Sequence, residues 1–137
     1  MPESMKLHKE IVTIKADIRD IKATQELEIL LNRERYLKYV DEVIGRSKER
    51  ALVFLAVNGN RTLKEISKIT DLKPPNVSRS KKILEEKQLI YRIPDSGVYA
   101  KPRWVHLLNI DEYIRKKFNI EEPLWLMKRE SQFITLS

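Results

Sequence analysis

The chain has 137 residues, 42% hydrophobic and 34% charged, enough for one compact domain with an appended element. Zero cysteines, two histidines and three glycines exclude disulfides, thiolate or three-histidine metal sites and a glycine-rich phosphate loop, so neither an enzyme nor a bound cofactor is expected. No run approaches ~18 uncharged apolar residues and the start lacks an apolar stretch, so the expectation is a cytoplasmic chain with no membrane span or signal peptide.

The net charge of +7 is unevenly spread. Residues 1–45 carry 8 basic and 9 acidic side chains, residues 46–107 carry 14 and 6, and residues 108–137 carry 5 and 5. A single basic block in an otherwise balanced chain points to a polyanionic partner, of which nucleic acid is the commonest. The same boundaries divide the chain into a long N-terminal helix, a compact middle and a C-terminal helical extension.

Residues 5–44 contain neither glycine nor proline and are rich in helix formers. Leu7, Ile11, Ile14, Ile18 and Ile21 alternate spacings of four and three, a heptad seam with isoleucine at both core positions. In a parallel pair Glu10 meets Lys15 of the partner and Asp17 meets Lys22, whereas an antiparallel pair opposes like charges. The expectation is therefore a parallel coiled-coil homodimer through these five residues. Isoleucine at both core positions leans toward three or four strands, and a two-fold site on duplex DNA toward two. After Gln25 the pattern shifts to Ile29, and Leu27, Leu30, Leu31, Leu37, Val40 and Ile44 make a broader stripe for packing on a body. The competing reading is one long amphipathic helix folded back on its own domain. Some 40 helical residues span ~60 Å, long for so small a domain.

Gly45 breaks this helix, and Ser47 caps another through Ala51, Leu52, Leu55 and Ala56, ended by Asn58-Gly59-Asn60. Thr62 and Glu65 form a capping box for a helix that buries Leu63, Ile66 and Ile69. Pro74 and Pro75 suit the first turn of a third helix, 73–87, with Val77 and Leu84 inward. Leu89–Ile93 and Val98–Ala100 read as strands around a Pro94-Asp95-Ser96-Gly97 turn. Trp104–Leu107 either extends the second strand or leads onward. Asn109 with Glu112 caps a helix from Ile110 to Phe118, Pro123 starts another containing Leu124, Trp125 and Met127, and Ser131–Ser137 is a tail.

Three short helices and a hairpin, in this order, with Leu63, Glu65, Ile66, Ile69, Leu72, Val77, Ser78, Arg79, Leu84, Glu85, Lys87, Leu89 and Ile90 in place, resemble the winged helix-turn-helix domains of MarR-like and ArsR-like transcription regulators. The resemblance covers about 45 residues when the flanking helix and hairpin are included. It implies a mainly α fold: three helices plus a two-stranded β-hairpin wing, here with a long N-terminal coiled-coil helix and C-terminal helices. Two positions depart from the pattern: Lys81 stands where a buried leucine is usual, and Gln88 where a glycine usually ends the helix.

With Val77 inward, Pro75, Arg79, Lys82 and Glu86 lie on the opposite face of helix 73–87, flanked by Asn76, Ser78 and Ile83. Arg79 is suited to a guanine edge, Asn76 to an adenine or a phosphate, and Lys73 and Lys82 to phosphates. Arg92, Lys101 and Arg103 on the hairpin are expected on the neighbouring backbone, and His106 is read as structural. The function expected is a sequence-specific regulator of double-stranded DNA. The alternatives are a low-specificity architectural or partition protein and a winged-helix module that binds other proteins.

Overall fold

The computed structural model describes residues 3–121. Helix α1 (Glu3–Leu31) is followed by α2 (Arg33–Ile44) and α3 (Lys48–Ala56). Strand β1 (Arg61–Thr62) leads into α4 (Leu63–Thr70) and α5 (Pro74–Glu86), then the hairpin strands β2 (Tyr91–Arg92) and β3 (Val98–Ala100). Helices α6 (Arg103–Leu107) and α7 (Ile110–Lys117) close the described chain. The architecture is mainly helical with one small antiparallel sheet of order β1-β3-β2. The expected helix from Pro123 and the tail after it lie outside the described residues.

The glycine-free helix expected over 5–44 is two helices. The break falls at Asn32, whose side-chain Nδ2 donates to the Glu28 carbonyl at 2.7 Å while its amide is shared between the Glu28 and Ile29 carbonyls. A short amide side chain that bonds the preceding turn competes with the helical ladder, which is why asparagine interrupts a run of helix formers. Helix α1 buries none of its residues. Leu7, Ile11, Ile14, Ile18 and Ile21 are each 43–59% exposed, and none is buried by the other described residues.

The helix ends follow local chemistry. Gly45 ends α2 at φ +59, and Arg50 Nη1 donates at 2.7 Å to the Val43 carbonyl that the helix end leaves open. Ser47 accepts from the Arg50 amide at 3.1 Å. Thr62 and Glu65 make both halves of a capping box on α4. Asn109 occupies the N-cap of α7 but sits in the left-handed region at φ +53 and makes no side-chain cap bond, and Glu112 pairs with Arg115 instead of reaching back.

The core is formed by Val40, Val43 and Ile44 of α2, Phe54 and its neighbours on α3, Ile66 of α4, Val77 and Leu84 of α5, Leu89, Ile90, Val105, and Ile110 and Ile114 of α7. Each such side chain taken fully from water contributes about 1.5–3 kcal/mol. Helix α5 packs most extensively on α3, burying Val77, Ser80 and Leu84. Ser80 takes the place on the inner face that lies beside Lys81. The Lys81 ammonium lies 5.5 Å from the centre of the Tyr99 ring and pairs with Glu85 at 3.1 Å, so its stem covers the sheet without burying a charge.

One element differs from the sequence expectation, and one alternative left open by the sequence is settled. The sheet has a third strand, because Arg61 and Thr62 pair with Tyr99 and Val98 ahead of the capping box. Residues 103–107 form a helix and do not extend β3: Pro102 cannot donate to a ladder, and Trp104 turns back onto Tyr36 of α2 with ring centres 5.2 Å apart.

Gln88 ends α5 in the left-handed conformation, φ +64, and the Leu89 amide donates back to the Leu84 carbonyl at 2.9 Å. This is the closure usually made with glycine, formed here with a side chain that is strained in that region. Gln88→Gly is expected to stabilise the fold by about 0.5–1 kcal/mol, seen as a higher urea midpoint at unchanged slope.

Candidate nucleic-acid interface

The N-terminus of α5 is made by Pro74 and Pro75, which supply no amide hydrogens, and the first two that follow, on Asn76 and Val77, both return to the Lys73 carbonyl. The helix therefore starts without the free backbone donors that usually hold a phosphate. Anion binding at this end falls to side chains. Lys73 is exposed, lacks an ion pair among the described residues, and stands where the helix dipole is positive.

Because Val77, Ser80 and Leu84 face the core, Pro75, Ser78, Arg79, Lys82 and Glu86 are exposed on the other side. Lys82 makes no ion pair among the described residues. Arg79 donates through Nη2 to the Asn76 side-chain oxygen one turn earlier. That bond engages the half-buried Asn76 and fixes one arm of the guanidinium fork of the exposed Arg79. Asn76 thus serves as a partner of Arg79 through its side-chain oxygen.

The hairpin places fewer cations outside than expected. Arg92 is exposed, and its Nε donates at 2.7 Å to the Ser96 carbonyl, which ties the guanidinium to its own turn. Lys101 does not lie on the surface. Its side chain is 2% exposed, its ammonium donates to the Asp111 carboxylate at 2.8 Å and the Leu55 carbonyl at 3.3 Å, and it sits 4.7 Å from the centre of the Phe54 ring. A phosphate cannot reach it. Position 101 follows β3, where the chain turns inward toward α6, so alternation along the hairpin does not extend that far. Arg103 is exposed but belongs to α6, where it pairs with Glu26 of α1. It links the long helix to the body and does not extend the hairpin's charge.

Two cations that the sequence reading passed over are exposed on α4: Lys64 and Lys68. Their four-residue spacing, off the apolar face of Leu63, Ile66 and Ile69, was the available signal. Tyr91 is exposed on β2, Tyr99 is buried beneath Lys81, and His106 is exposed on α6. Among the described residues no cluster of histidine, cysteine or carboxylate side chains has the geometry to hold a metal, and no helix is long and apolar enough to cross a membrane. Comparison with protein-family models, with curated proteins and with solved structures found no match to this chain.

Burial holds the Lys101 amine below the ordinary lysine range, opposed by the neighbouring Asp111 charge. Between that depressed value and the ordinary one, the unfolded chain binds the extra proton. Folding stability contributed by this group therefore rises as pH climbs through the window, and is lowest where both states are protonated. The stability of the native chain minus that of Lys101→Met is expected to increase with pH toward the ordinary lysine range. A flat difference in denaturant titrations across that range would show the amine to be solvated.

Proposed function

We propose that the chain is a winged helix-turn-helix regulator that binds double-stranded DNA in a sequence-specific manner as a homodimer. Helix α5 is the reading element, entering a major groove with Arg79 toward a guanine edge and Asn76 bracing it. Lys73, Lys82 and Ser78 take the flanking phosphates, and Arg92 at the hairpin takes a backbone position beside them. The observation that carries this reading is the division of α5 into a fully buried face and an exposed cationic one, within a basic middle segment.

The parallel coil of α1 supplies the two-fold. Five apolar side chains at heptad spacing stand in solvent on a helix with no buried residue, a cost that pairing with a second copy removes. The charge pairs Glu10 with Lys15 and Asp17 with Lys22 favour the parallel sense.

With Lys73, Lys82 and Arg92 on phosphates in each of two protomers, the logarithm of affinity should fall against that of salt with a slope of about −5. Arg79→Ala is expected to cost about 1–3 kcal/mol on a site selected from random oligonucleotides and to relax its sequence preference. Gel-shift titrations on selected and scrambled duplexes measure both. Equal loss on the two duplexes would assign the protein to low-specificity, architectural binding, and a response independent of salt would point to a protein partner.

Ile14→Lys places a charge in the seam and is expected to convert the dimer to a monomer in sedimentation equilibrium while leaving the helical body's thermal transition intact. An unchanged mass would remove the coil from the proposal.

A further inference from the structure

A groove of about 700 Å³ lies away from the outer face of α5, bounded by the end of α1, the start of α2, the last turn of α5 and α6. Its apolar wall is the tilted pair of Tyr36 and Trp104. The wall is held in place by Tyr39, whose hydroxyl donates to the Lys87 carbonyl at 2.9 Å and so ties α2 to the end of α5. Arg35 and Lys87 stand on the same groove, exposed, and neither makes an ion pair among the described residues. Glu28, on the α1 lip, is the only carboxylate among the lining residues, so the lining carries a net positive charge. Gln25 and Gln88 add side-chain amides, each a paired donor and acceptor.

From this combination we infer that the groove is a binding site for a nucleoside phosphate. Aromatic rings offer a stacking face to a base, glutamine amides match the donor–acceptor edge of a purine, and two unpaired cations match a phosphate. The volume lies within the range of small-ligand sites and exceeds what a single-ring carboxylate fills. An occupant would touch α2 and the last turn of α5 together, and so would bear on the helix to which DNA reading is assigned above. The binding site itself does not depend on that assignment.

The test is isothermal titration of the full chain, without DNA, using AMP as the probe. AMP is expected to bind saturably, with adenosine, inorganic phosphate and benzoate each at least about tenfold weaker. Arg35→Glu and Lys87→Glu, both on exposed side chains, should each weaken AMP by about tenfold or more with an unchanged thermal transition. Lys82→Glu, on the outer face of α5, should leave AMP binding unaltered while impairing binding to duplex DNA. Absence of saturable AMP binding at millimolar concentration would overturn the inference, as would benzoate binding equal to AMP or full retention in both charge reversals. None of these outcomes bears on whether α5 reads DNA, since that is measured on duplexes alone.

Discussion

The seating of α5 on α3 is the constraint from which the surface chemistry follows. Val77, Ser80 and Leu84 fix the rotation of α5 about its axis, and a helix so fixed has no choice about what it shows to water. Arg79 and Lys82 are outside because those three residues are inside. The same seating sets the closing turn at Gln88, delivers Leu89 and Ile90 into the core, and starts the hairpin at Tyr91. A change in the inner face would therefore rotate the outer one, coupling packing to any surface recognition.

Charge is handled differently at the two ends of this body. On the outer face of α5 Lys82 remains in water without an ion pair among the described residues and Arg79 is braced by an amide, while Lys81 beside them pairs with Glu85. At Lys101 the cation is drawn inside, against Phe54 and the Asp111 carboxylate. A buried ammonium needs a partner in place, and Asp111 stands in the first turn of α7. Helix α7 is further joined to α2 by the Tyr113 hydroxyl and the Lys117 ammonium, both on the Asp41 carboxylate at 2.7–2.9 Å. The basic middle segment is thus anchored by acidic residues contributed from both flanking segments.

Much of this was legible because it is written locally. The Thr62–Glu65 box, the Ser47 cap and the inward direction of α5 each depend on residues close to one another along the chain, and the local pattern exposes them. What escaped depends on distant partners. Lys101 reads as a hairpin cation until Asp111 and the Leu55 carbonyl are brought to it. Arg103 reads as a neighbour of Lys101 until α6 turns it toward Glu26. Strand β1 is two residues long and exists only because β3 lies beside it. The break at Asn32 was visible as a residue type, yet a run of good helix formers on both sides concealed it.

The elbow at Asn32 has a mechanical consequence. Helix α1, with 29 residues, extends about 43 Å from it, and among the described residues Glu26 and Ile29, near the elbow, join it to the body. A rotation of only ten degrees there would sweep the free tip through roughly 7 Å on that radius. Whatever grips the tip therefore holds a long lever, and the attitude of the whole body relative to that grip is governed by a few side chains at the fulcrum.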